Sequence, residues 1–162
     1  MSNDILTHPG SRIFAYFTAE FMLRAAASIA VAFEHDYESA ILFLSITTQN
    51  TQNIMHKRDL RQRYASMATP VDPELMTPVS RSALARSTGL PRETVRRKVA
   101  RMMERGLIVD TPKGLIVPRH VTDNPLYAEA LRPQIESLRR LFTMVRDQIE
   151  EPPAARVEDL VA

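Results

Sequence analysis

Between Arg12 and Ala32, apolar residues recur at Phe14, Phe17, Phe21, Ala25, Ser28 or Ile29, and Ala32, the three-and-four spacing of one helical face. Ser11 follows the punctuation His8-Pro9-Gly10 and is the expected N-cap, so Met1 to Gly10 reads as a short arm. Met22, Leu23, Ala26, Ala30 and Val31 extend the apolar surface almost all round, which predicts a buried helix or a subunit interface. A second helical segment is expected over 37–64, with Ile41, Leu42, Leu44, Ile46 and Ile54 or Met55 inside and Lys57 to Arg63 outside. Its middle is unusual, because Thr47 to Asn53 are consecutive uncharged polar residues. Three readings are open for that run: a surface turn or broken helix, an effector pocket near Phe14, Phe17 and Phe43, or a polar network between helices at a dimer interface.

Pro70, Pro73 and Pro78, with Thr69, Asp72 and Thr77, interrupt the helical pattern and mark a linker over 66–78. Two short helical phrases then flank Gly89. A hairpin follows, in which Leu107-Ile108-Val109 and Leu115-Ile116-Val117 bracket the turn residues Asp110 to Gly114. Beyond Asn124 and Pro125, the residues Leu131, Ile135, Leu138, Phe142, Val145 and Ile149 keep the alternating heptad spacing of a helix that pairs with its twofold mate. Pro133 is expected to start or kink this helix. The expected fold is mostly α: an N-terminal helical pair over 1–65 for dimerisation or sensing, the linker, a central domain over 79–120, a C-terminal dimerisation helix over 121–150, and a disordered tail over 151–162.

The chain has 162 residues, 44% hydrophobic and 25% charged, enough for one compact unit or two small ones. Four glycines and the absence of any G-x-G-x-x-G or P-loop pattern argue against nucleotide-binding enzymes. Without cysteine there is no disulfide framework, thiolate zinc site or thiol chemistry. His8, His35, His56 and His120 lack metal-ligand spacing, and no nucleophile, base and carboxylate assemble, so no metal, cofactor or enzymatic activity is expected. His35 and Asp36 read more simply as a helix-end histidine and an N-cap aspartate. The longest uncharged run, Ser39 to Met55, is too polar to span a bilayer, which leaves a cytoplasmic expectation with no membrane partner.

Charge changes the picture. Net charge is +2, yet Arg81 to Arg105 carries eight basic residues against Glu93 and Glu104, so this segment is +6 and the remainder −4. That asymmetry is the footprint of an element that faces nucleic acid. Leu84 and Ala85 belong to the inner face of a first helix, Gly89 stands where a sharp turn requires positive φ, Leu90 plugs the turn, and Pro91 opens a second helix. On that second helix Val95, Val99, Met102 and Met103 share one face. Glu93, Arg97, Ala100, Arg101 and Glu104 take the other, with Thr94 and Arg96 on its flanks. A helix anchored on one side and rich in guanidinium on the other suits the major groove of B-DNA.

Through Gly89-Leu90-Pro91-Arg92-Glu93-Thr94-Val95-Arg96-Arg97 and Gly106-Leu107-Ile108, the central segment resembles the winged helix-turn-helix of bacterial transcription regulators, most nearly that of the Crp/Fnr family. The resemblance covers about 40 residues and does not extend to that family's cyclic-nucleotide domain, since the first 65 residues read as helical and lack a glycine-rich phosphate loop. It implies base contacts by Arg92, Glu93 and Arg97, with Arg97 donating to guanine and Glu93 accepting from cytosine. Arg81, Ser82, Thr94, Arg96, Arg101 and Lys113 would then touch phosphates. Pro91 stands where the family often has a serine cap, and the flanking helices are more like those of MarR-type regulators. The expected function is a homodimeric, sequence-specific binder of double-stranded DNA that regulates transcription, with a small molecule or protein as a further effector. The alternative is a winged-helix adaptor that holds another protein.

Overall fold

The computed structural model describes residues 10–150; the arm expected over 1–9 and the tail expected over 151–162 lie outside the described residues. The chain is mostly helical, with one small antiparallel sheet. Helices α1 (Ser11–Ala32), α2 (Tyr37–His56) and α3 (Arg58–Arg63) come first. A 3-10 turn at Pro73–Leu75 leads into α4 (Arg81–Thr88), α5 (Arg92–Glu104), the strands β1 (Val109–Thr111) and β2 (Gly114–Ile116), the short α6 (Arg119–Thr122) and α7 (Pro125–Glu150). Two compact units divide the chain. One is Ile29–Leu131; the other joins 10–28 to 132–150.

The Ile29–Leu131 unit is built around α2. A tight turn with positive φ at Glu34 and His35 delivers the chain to Asp36, whose carboxylate caps α2 by accepting from the Ser39 amide at 3.2 Å. Leu42, Phe43 and Ile46 enter one core with Leu84 of α4, Val95, Val99 and Met102 of α5, and Ile108, Leu115 and Val117 of the hairpin region. The expected second helix does not run to Tyr64, because Lys57 takes an extended conformation and α3 starts afresh. From Lys57 to Arg63 only Leu60 is even half-buried, so nothing apolar holds that stretch in register with α2. The run Thr47 to Asn53 is neither a turn nor a break; it is continuous helix. The Thr47 and Thr51 hydroxyls donate back to carbonyls three and four residues earlier, which satisfies them inside the helix.

One residue of that run leaves the helix's own bonding. Asn50 is only 2% exposed, and its amide nitrogen donates to the Thr77 carbonyl at 3.0 Å and the Leu115 carbonyl at 3.2 Å. Its side-chain oxygen accepts from the Val117 amide at 2.9 Å, and its backbone carbonyl accepts from the Thr77 amide at 3.1 Å. Asn50 thereby ties α2 to both the end of the linker and β2. The linker joins the sheet as well: Val79 exchanges two backbone hydrogen bonds with Leu115. Gly114 lies under this crossing with φ +130°, and a Cβ there would meet the Val79 carbonyl oxygen at 2.9 Å, so only glycine fits. The strands pair Val109 with Ile116 and Thr111 with Gly114, slightly shorter than the sequence pattern implies.

In the other unit, Phe17, Glu20, Phe21 and Arg24 of α1 border a small crevice with Ser137, Arg140 and Leu141 of α7. Glu20 binds Arg24 at 2.9 Å and lies 3.8 Å from Arg140. Helix α7 opens at Pro125 and continues through Pro133, which supplies no N–H to the helical ladder. Ile135, Leu138 and Phe142, three of the heptad positions, are 52%, 39% and 65% exposed. Helix α1 is by length and composition apolar enough to cross a membrane. Its Ile13, Tyr16, Met22 and Leu23 are exposed.

Replacing Asn50 with Leu should strand the Val117 amide and remove the side-chain donor from the Thr77 carbonyl, while the Leu115 carbonyl keeps its bond from the Val79 amide, at a cost of about 2 kcal/mol. Urea unfolding checks this: the midpoint should fall at an unchanged slope, while Thr48→Ala on the exposed side of the same helix should leave it in place.

Candidate nucleic-acid interface

Helix α4 begins at a serine cap, with the Ser80 hydroxyl accepting from the Ala83 amide, and ends at Gly89 in the left-handed conformation with φ 70°. The positive φ expected at Gly89 is therefore present, and it lets the chain reverse into α5 within a few residues. Pro91 occupies the position just before the first helical residue, Arg92, and its carbonyl accepts from the Val95 amide. Leu90 packs against the core beneath the turn. Val95, Val99 and Met102 are buried and Met103 half-buried, so the inner face of α5 is the one the sequence pattern marks.

Lys98 lies on that inner face and is only 8% exposed. Its ammonium donates to both carboxylate oxygens of Asp36 at 2.6 Å and is 3.3 Å from Glu38. The charge count of the segment includes this lysine, but its charge is spent on α2 and does not reach the outer surface. Burial works to raise the Asp36 carboxyl, and hydrogen bonds from Lys98 and Ser39 outweigh it, holding the group at about 2. Nothing in the spacing of the sequence connects positions 36 and 98. The available signal is Lys98 itself, which falls among Val95, Val99 and Met102 on a helical wheel and so needs a buried anion.

The outer face of α5 carries Arg92, Glu93, Arg96, Arg97, Ala100, Arg101 and Glu104, all exposed. Glu93 pairs with Arg96 rather than Arg97, through two hydrogen bonds of 2.9 and 2.6 Å. That fork lowers the Glu93 carboxyl below its ordinary value and raises the Arg96 guanidinium. Both side chains are exposed, so the pair adds little stability and leaves part of each group open to other partners. Arg92, Arg97 and Arg101 make no ion pair or side-chain hydrogen bond with any of the described residues. Thr94 is half-buried at the edge of this face.

Of the remaining predicted residues, Arg81 is engaged within the fold. Its guanidinium binds Asp110 of β1 at 2.9 Å and the Met103 sulfur at 3.6 Å, bracing the start of α4 against the hairpin and α5. Ser82 is exposed, with its hydroxyl 3.0 Å from that of Ser80. Lys113 is exposed in the turn of the hairpin, where its backbone amide donates to the Thr111 hydroxyl and its side chain has no described partner. Arg86, in the last turn of α4, is likewise exposed and without a described ion pair; the motif passes over it because it precedes the Gly89 turn. Arg81, Arg96, Ala100, Met103 and Glu104 line a shallow groove along this side.

The surface thus offers guanidinium donors held on a helix whose opposite face is buried, which suits an anionic, hydrogen-bond-accepting partner. Among the described residues no group of three or more His, Asp or Glu could hold a metal ion. No protein-family model, no curated protein and no solved structure matches this chain.

Asp36→Asn should weaken the fold by about 2 kcal/mol, since Asp36 is only half-buried and Glu38 remains near Lys98. Asp36 is depressed in the folded state, so its contribution is complete above the ordinary carboxyl range near 4 and is lost as pH falls toward about 2. Stability curves for the two proteins should therefore converge over that interval.

Proposed function

We propose that 79–120 forms a winged helix-turn-helix and that the chain is a dimeric regulator that binds double-stranded DNA. The supporting observation is that Arg92, Arg97 and Arg101 on the outer face of α5 make no ion pair or side-chain hydrogen bond with the described residues, on a helix fixed from behind by Val95, Val99, Met102 and the Lys98–Asp36 pair. In this reading α5 enters the major groove and the β1–β2 turn brings Lys113 to the backbone. Arg97 and Arg92 read base edges; Arg101, with Arg86 added, meets phosphates. Glu93 and Arg96 act as a unit. The fork orients Arg96 toward the backbone and leaves the outer lone pairs of Glu93 for a cytosine amino group. Arg81 has a reduced part, because its guanidinium is held by Asp110.

The dimer in this proposal uses the exposed heptad positions Ile135, Leu138 and Phe142 of α7, with the outward apolar residues of α1 adding to the same interface. Twofold pairing would present two copies of α5, hence an inverted repeat with half-site centres about 10 bp apart or a multiple of that.

Selection from random duplexes should return such a repeat. Arg97→Ala should then cost about 1 to 3 kcal/mol on the selected site and relax the choice at one base pair. A loss that is equal on every sequence would make Arg97 a phosphate contact, and unchanged behaviour of an Arg92, Arg96 and Arg97 triple alanine variant would favour a protein-binding adaptor. Phe142→Arg should convert the dimer to a monomer in sedimentation equilibrium and weaken operator binding without changing Ile29–Leu131 stability. A dimer that survives both Phe142→Arg and Leu138→Arg would place the interface elsewhere.

A further inference from the structure

A cavity of about 310 Å³ opens beside the middle of α2, lined entirely by residues of the Ile29–Leu131 unit. Its size falls at the lower end of small-molecule sites. Phe14 and Phe17 take no part in it; the walls come instead from α2, the linker and the segment after β2. Met55, Met67 and Met76 contribute adaptable apolar surface that can close on a flat ring. No lysine, arginine or histidine lines it, and its one acidic residue, Asp123, is already bound by Arg119 at 2.7 Å. An anionic ligand would lose its hydration there without gaining a counter-charge, and a cation would have to compete with Arg119. The Thr47 and Thr51 hydroxyls donate into their own helix, so what they offer a ligand is lone pairs.

From this lining we propose a binding site for a neutral, mainly apolar ring compound carrying a hydroxyl or N–H donor, coupled to the β1–β2 hairpin. The coupling runs through Asn50 and Val117, which border the cavity and are hydrogen-bonded to each other. Asn50 also holds Leu115 and the linker end at Thr77, so a ligand that displaces either wall acts on the joint between α2 and the hairpin. The regulatory half of this proposal rests on the DNA-binding reading; the binding half does not.

N-phenyl-naphthylamine, a neutral fluorescent probe with one N–H, tests the site directly, and anilinonaphthalene sulfonate tests its charge preference on the same scaffold. The neutral probe should saturate at one per chain, with the sulfonate weaker by about tenfold or more. Thr48→Trp and Val71→Trp, each placing a large ring from a cavity-lining position, should lower probe affinity by about tenfold or more with the urea midpoint unchanged. Absence of saturable binding, equal affinity for the sulfonate, or full binding by both tryptophan variants overturns the site. With the selected duplex, saturating probe should shift DNA affinity of the wild type and leave Thr48→Trp unaffected. Probe binding with an unshifted DNA affinity overturns the coupling, whereas probe binding by a protein that retains no duplex at low salt overturns the DNA reading and leaves the site standing.

Discussion

A buried carboxamide in the middle of a helix carries an acceptor oxygen that no helical N–H is free to meet, so at least that end of it must find a partner outside the helix. Asn50 finds them on two other segments at once, and this fixes the relation of α2 to the linker and to β2. The consequences are wide. Thr77 is held by side-chain and backbone bonds to the same residue, Val79 is then delivered to pair with Leu115, and the crossing leaves room only for glycine at position 114. A purely apolar residue at position 50 could supply equivalent area, but it could not specify which carbonyl meets which donor. The amide therefore contributes register more than raw stability.

The second tie to α2 works by charge. Lys98 is drawn inward by Asp36 and Glu38, so the face of α5 that would otherwise be interrupted by an ammonium stays closed against α2. Burying an ammonium is costly, and it is tolerated here because both oxygens of Asp36 accept from it while the same carboxylate caps α2. One aspartate thus starts a helix and anchors another. Fixing α5 from behind matters for what its outer face can do: guanidiniums on a helix that cannot roll meet a partner with less loss of freedom than the same groups on a mobile segment.

Much of this was legible from residue pattern. The helical face of α1, the buried side of α5, the αL glycine at position 89, the N-cap at Asp36 and the hairpin all follow from periodicity and turn chemistry, which are local. What was not legible depends on contacts distant in sequence. The polar run in α2 could be seen to need partners, yet nothing in it singled out Asn50 or named Thr77, Leu115 and Val117. The end of α2 at Lys57 reflects missing burial, which no composition rule detects within so polar a stretch. On α5, spacing alone allowed Glu93 to pair with Arg97 as readily as with Arg96; the side-chain geometry selects the closer residue. Charge counting likewise overstated the outward potential of the segment, since Lys98 and Arg81 are neutralised within the fold.

The two ties sit at different points along α2. Asp36 at its start holds α5, Asn50 further along holds β2, and the cavity borders Asn50. A rigid helix pinned at two places can transmit a displacement from one attachment to the other only by moving as a body, whereas a change confined to the Asn50 end alters the hairpin first. In the proposed DNA complex the arginines of α5 would then keep their geometry while the Lys113 turn shifts. Such an arrangement lets the Lys113 contact change while every contact proposed for α5, base reader or phosphate contact, keeps its place, so a ligand at the Asn50 end would alter the strength of binding more than the choice of sequence.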